Sequence, residues 1–132
     1  MRIVVTGGRA YANREHVFTA LDAIHWVTPI TELAHGNAGE IGPLTGKLRG
    51  ADKLAGAWAE AKGIEVVPYP VSREDWKAYG RAAGPRRNRI MLDAFKPDAV
   101  VAFPGGNGTA DCCQAARERG IEVLRQKAPR QS

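Results

Sequence analysis

Residues 98–109 read Asp98-Ala99-Val100-Val101-Ala102-Phe103-Pro104-Gly105-Gly106-Asn107-Gly108-Thr109. Five apolar residues with no polar break fit a strand buried on both faces, as the centre of a parallel sheet requires. Pro104 stops the run, three glycines follow within four residues, and a helical pattern continues to about Arg119, with Gly120 as its cap. The same punctuation recurs in both directions along the chain. Upstream, Ile3-Val4-Val5 is a short β-branched strand ended by Gly7-Gly8, and Asn13 caps a helix from Arg14 to His25 with Val17, Leu21 and Ile24 on one face. Ile30–Ala34 is the second strand, closed by His35-Gly36. Ala51–Lys62 is a helix ended by Gly63, and Ile64–Tyr69 is the third strand. Ser72–Gly80 is either loop or short helix, and Arg86–Phe95 is a helix. Ala99–Phe103 is then the fourth strand and Ile121–Leu124 the fifth.

Strands alternating with helices predict an α/β fold: a Rossmann-like three-layer sandwich around a five-stranded parallel sheet in the order 3-2-1-4-5. Residues 1–125 are expected to form one domain and residues 126–132 a frayed, disordered tail. Residues 36–50 hold five glycines and Pro43, a loop longer than usual that reads as a mobile lid or a family-specific insertion. No period of repeat length recurs.

The chain has 132 residues, 44% hydrophobic and 25% charged, the balance of an ordinary globule. No apolar run approaches the roughly 20 residues of a membrane span, and no signal-peptide pattern opens the chain, so a cytoplasmic protein without a membrane partner is expected. Cys112 and Cys113 are the only cysteines and are neighbours, which excludes a disulfide scaffold. No His/Cys set stands at metal-ligand spacing, so no metal is expected. The 19 basic residues outnumber the 14 acidic ones, giving +5, with arginines concentrated at 81–89. That excess suits nucleic acid or the phosphates of a small nucleotide, but the interleaved exposed aromatics of a single-strand platform are missing.

The strongest chemical signal is Pro104-Gly105-Gly106-Asn107-Gly108-Thr109. Glycines let the backbone approach a ligand, and the following helix start offers unpaired N–H groups with a partial positive charge, to which Thr109 adds a hydroxyl. The spacing is neither the dinucleotide fingerprint nor a Walker loop, and an ordinary strand-to-helix turn is the alternative. Thr6-Gly7-Gly8-Arg9-Ala10-Tyr11 is a weaker second signal, with Arg9 and Tyr11 as base, ribose or phosphate contacts. In the predicted strand order the two loops flank the switch-point crevice. Arg87, next to Asn88, is suited to bidentate phosphate recognition, whereas Met91 reads as core. His35 and Gly36 end a strand at the same edge. Asp52 reads as a helix cap, Trp76 as a hydrophobic plug, and Asp111 as a first-turn carboxylate on the last helix.

In combination these segments resemble the SLOG superfamily, and most its YspA/YpsA-related branch. The matching residues are Thr6-Gly7-Gly8-Arg9 with Tyr11, His35-Gly36, Ala51-Asp52 with Leu54-Ala55 and Trp58-Ala59, Trp76 with Tyr79-Gly80, Ala83-Gly84-Pro85 with Arg87-Asn88 and Met91, and Phe103–Gly106 with Gly108-Thr109. The resemblance implies a Rossmann-like domain that binds a nucleotide or nucleotide-derived ligand, with ligand sensing as the usual role and pairing into a homodimer through helices. No further cofactor is required. The chain is also distantly similar to the Lonely Guy type of phosphoribohydrolase, which cleaves the N-glycosidic bond of nucleoside 5′-monophosphates. Arg87, Met91 and Pro104–Thr109 fit that pattern, but Asn88 stands in place of a lysine and Cys112 in place of the catalytic glutamate. A thiol does not replace a carboxylate that stabilises positive charge on a ribosyl centre. A hydrolase would therefore need Asp111 or Glu40 as its carboxylate, with Arg87. Nucleotide binding is the leading expectation, N-glycosidic hydrolysis the second and single-stranded nucleic-acid binding the third.

Overall fold

The computed structural model describes residues 1–129. Its centre is β1 (Arg2–Thr6) lying parallel beside β6 (Ala99–Ala102), with Val4 opposite Val100 and Val5 opposite Val101. All four residues of β6 are buried, as an apolar run flanked by strands on both sides must be. β2 (Glu32–His35) pairs with the other edge of β1, β5 (Glu65–Pro68) pairs with β2, and β7 (Glu122–Arg125) pairs with β6. The sheet runs β5-β2-β1-β6-β7 and is parallel throughout, which is the order expected from the sequence.

Alternation along each strand divides the core into two layers. Ile3 and Val5 face α1 (Arg14–Val27) and α2 (Ala51–Ala61), packing with Val17, Leu21, Leu54, Trp58 and Phe103. Val4 faces the opposite way, with Val100, toward α4 (Ala83–Phe95) and α5 (Asn107–Glu118), where Met91, Leu92, Phe95, Cys112 and Ala116 close the second layer. Helix ends follow local chemistry. The Asn13 side chain accepts from the His16 N–H at 3.0 Å, and Gly63 and Gly120 take left-handed φ of 71° and 70° just beyond α2 and α5.

Several boundaries depart from expectation. Residues 36–50 contain a small antiparallel hairpin, β3 (Glu40–Ile41) with β4 (Leu48–Arg49), tied by a Glu40–Arg49 ion pair of 2.7 Å. β2 begins at Glu32, because Ile30 is buried outside the strand with its N–H donating to His25 Nδ1. Residues 73–79 form α3 (Arg73–Tyr79), capped by Ser72, and a single 3-10 turn at Gly80–Ala82 leads into α4 three residues earlier than expected. At the other end, the Gln126 N–H donates to the Ala102 carbonyl at 2.8 Å. The end of the expected tail, residues 130–132, lies outside the described residues. Among the described residues no helix is long and apolar enough to cross a membrane.

Candidate functional site

The loops leaving β1 and β6 meet at the carboxyl edge of the sheet. The Gly8 N–H donates to the Pro104 carbonyl at 2.8 Å, which ties the two turns together. A methyl group on Gly7 would stand 2.4 Å from Ala51 Cβ, and one on Gly8 would stand 3.1 Å from the Pro104 oxygen. The absence of a side chain is thus a packing requirement at Gly7 and relieves a tight contact at Gly8. The Gly8 amide is taken by its bond to Pro104 and is not offered to a ligand. α5 starts after Gly106 with no side-chain cap and no acidic residue in its first turn, and a Cβ on Gly106 or Gly108 would meet open space. An uncapped helix start with open space before it presents N–H groups and positive potential to an anion.

Between the loops lies a cleft of about 210 Å³ lined by Thr6, Gly7, Gly8, Arg9, Gly36, Ala38, Asp52, Arg87, Asn88, Met91, Gly106, Gly108 and Thr109. Arg87 reaches across it from α4. Its Nη1 donates to the Gly36 carbonyl at 2.6 Å and the Tyr69 carbonyl at 3.1 Å, and its Nε to Asn88 Oδ1 at 3.1 Å. Burial lowers its pKa, and the Asp52 and Cys112 groups pull it back up. A Cβ on Gly36 would fall 2.5 Å from the guanidinium carbon, so glycine at 36 makes room for that guanidinium. Asn88 is buried and donates to the Gly108 carbonyl at 3.3 Å and to Asp111 Oδ2 at 3.1 Å, fastening α4 to the start of α5. Met91 belongs to both cleft and core.

Asp52 was not among the residues expected to form the site. It caps nothing on its own helix, which starts at Gly50 without a side-chain cap. Its Oδ2 accepts from the Gly36 and Ala38 N–H groups at 3.1 and 3.2 Å, while Oδ1 is buried without a partner. Burial pushes the carboxyl from 3.8 up to about 7, against the opposing pull of the Ala38 N–H, Arg87 and the Gly36 N–H. A signal was present in the sequence: a carboxylate three and seven residues before Ala55 and Ala59 shares their inward stripe on the helix.

Other expected site residues lie elsewhere. The Tyr11 hydroxyl bonds His16 Nδ1 at 2.5 Å and its ring stacks on Phe103, so it braces the first loop from below. The His35 ring faces α2, where a Cβ on Gly56 would come within 3.0 Å of Nε2, and burial, then Lys53 and Arg87, lower its pKa from 6.5 to about 4. Pro104 and Gly105 line a neighbouring hollow, with Arg125 and Lys127, that shares Gly106 and Thr109 with the cleft, and Asn107 is exposed. Asp111 sits beyond the first turn of α5, paired with Arg89 at 3.1 Å as well as bonded to Asn88, and does not line the cleft. Glu40 is likewise outside it, in the hairpin. Cys112 is wholly buried, its thiol pushed up to about 12, chiefly by that burial. Trp76 is no plug: it is 50% exposed and lines a groove of about 300 Å³ that shares Arg9, Gly36, Ala38 and Arg87 with the cleft. No group of three or more metal-ligating side chains occurs among the described residues.

Residues 1–42 match the model of the YspA, cpYpsA-related SLOG family. That segment spans β1, α1, β2 and the first hairpin strand, and so includes the Gly7-Gly8 turn and Gly36 but neither Arg87 nor Gly106. No curated protein matches the chain.

Proposed function

We propose that this chain, whose first 42 residues carry the signature of the YspA, cpYpsA-related SLOG family, binds a nucleotide or nucleotide-derived ligand in the cleft between its two glycine loops, as a sensor rather than a catalyst. The observation that carries the reading is the convergence on one cleft of the uncapped α5 start, the close-packed Gly7-Gly8 turn and Arg87. Phosphate sits at the amides of Gly106–Thr109, where the helix start favours an anion. Arg87 and Arg9 supply positive charge, and Arg87 is held in place by the Gly36 and Tyr69 carbonyls. The adjoining groove takes the base, with the half-exposed Trp76 as a stacking surface.

N-glycosidic hydrolysis is less well supported, because Asp111 and Glu40 lie outside the cleft and are paired with Arg89 and Arg49. Titration calorimetry and thermal shift with nucleoside monophosphates, ADP-ribose and NAD test the binding reading. At least one is expected to bind saturably and raise the melting temperature. Failure of every one at millimolar concentration overturns it.

A further inference from the structure

Another hollow, of about 250 Å³, lies where α2, β5 and the hairpin meet at the His35 ring, and it shares no lining residue with the cleft. The ring is 5% exposed. Its Nδ1 accepts from the Asn37 N–H at 2.9 Å, and burial, then Lys53 and Arg87, lower its pKa to about 4. Near neutrality the ring is therefore uncharged and carries its one proton on Nε2. That N–H donates to no atom among the described residues, and unlike Asp52 Oδ1 it is not sealed, because the ring lines the hollow. Gly56 leaves it room, since a Cβ there would stand 3.0 Å from Nε2. Glycine inside a helix is unfavourable, and here the missing side chain keeps a largely buried donor within reach of a guest. Buried donors are almost always bonded, so the hollow calls for an acceptor.

The rim limits the charge of that guest. Lys53 and Glu60 flank Gly56 on one face of α2, seven positions and about 10 Å apart along the axis, beyond the spacing at which helix side chains pair. Neither joins an ion pair among the described residues. Leu48, Ala57 and Val66 give the hollow apolar walls. A purely anionic guest would meet the Glu60 carboxylate, and a purely cationic one the Lys53 ammonium. A divalent cation needs several oxygen ligands and would find one carboxylate beside a lysine. We infer that this hollow binds a small zwitterionic amino acid, its carboxylate accepting from His35 Nε2 and Lys53 and its ammonium donating to Glu60. Its carbon chain lies on the apolar walls. The inference is independent of the nucleotide reading, because the two sites have separate linings.

Calorimetry on the full chain at pH 7 with four four-carbon probes tests it: 2-aminobutanoate, 4-aminobutanoate, butanoate and butylammonium. The two amino acids differ in the spacing of their charges, and the other probes lack one charge each. At least one amino acid is expected to bind about tenfold to a hundredfold tighter than both singly charged probes, the range for a hydrogen bond between charged groups. Glu60 is exposed, so Glu60→Gln keeps the fold, and it is expected to reduce that amino acid to the affinity of butanoate. In nitrogen-15 spectra the ring Nε2–H of His35, and not the rings of His16 or His25, is expected to move as the amino acid is added. Butanoate or butylammonium binding as tightly as both amino acids overturns the inference, as does a preference that persists in Glu60→Gln. Binding that leaves the His35 ring signal in place overturns it too, and so does the failure of all four probes at millimolar concentration.

Discussion

Burial disfavours the charged form of both Asp52 and His35, and the consequences for stability run in opposite directions. The Asp52 carboxyl is raised from 3.8 to about 7, so the stability contributed by its neutral form is complete below about 4 and is lost as pH rises to about 7. The His35 ring is lowered from 6.5 to about 4, so its contribution is complete above 6.5 and is lost as pH falls to about 4. The two slopes oppose each other across that window. Urea midpoints are expected to rise with pH between about 4 and 6.5 in Asp52→Asn, relative to the wild-type protein, and to fall with pH between about 4 and 7 in His35→Gln. Parallel profiles for all three proteins would refute the assignment. Arg87 gives a second prediction at this scale. Arg87→Ala removes the donor to the Gly36 and Tyr69 carbonyls and a half-buried cation of the cleft, so phosphate affinity is expected to fall about tenfold to a hundredfold, with a loss of about 1–3 kcal/mol in stability. Calorimetry and denaturant titration read the two effects separately.

At the level of elements, the turn from β6 into α5 distinguishes glycines by what stands beside them. A methyl at Gly105 would lie 2.1 Å from Thr109 Oγ1 and 2.8 Å from the Gly8 nitrogen, so Gly105→Ala must displace the Thr109 hydroxyl or separate the two loops. At Gly108 the same methyl meets nothing within 4 Å, and the position is helical. Gly108→Ala is therefore expected to leave stability unchanged or raise it by up to about 1 kcal/mol. Gly105→Ala is expected to lower both stability and phosphate affinity. Thermal melts of the two variants, made in parallel, check the contrast, which fails if both behave alike. α3 contributes Trp76 to the groove, so Trp76→Ala is expected to weaken a bound nucleotide while leaving inorganic phosphate unaffected.

For the whole molecule, the net charge of +5 is distributed in a way that bears on its partners. Arg2, Arg49, Lys62, Arg89 and Arg119 are each ion-paired, and Arg87 is turned into the cleft. Basic side chains spent on internal pairs are not available to release counterions from a nucleic-acid backbone. The +5 excess lies on the other basic residues, but the sequence lacks the interleaved aromatics of a single-strand platform, so retention on single-stranded DNA is expected to be weak at physiological salt. Tight retention that falls steeply with added salt would favour the nucleic-acid reading instead.

The fold was largely legible because its determinants are local and repeated. Ile3-Val4-Val5 and Ala99–Phe103 announce central strands by apolar runs, Asn13, Gly63 and Gly120 mark helix ends, and alternation of the two patterns leaves few ways to close a parallel sheet. The glycine turns after β1 and β6 were legible for the same reason, since residue type and neighbouring punctuation fix their place in the chain. What local pattern does not encode is the direction of a side chain once helices pack on a sheet. Tyr11, His35 and Asp111 have site-like chemistry, yet their polar atoms are turned toward His16, Asn37 and Arg89. Asp52, read as a cap, lines the cleft instead and keeps one buried carboxyl oxygen without a partner. Sequence alone determined which residues build the strands and which turns leave their carboxyl ends. Only the tertiary structure decided which polar atoms remain unpaired there, because that depends on every donor and acceptor that packing brings within reach from distant parts of the chain.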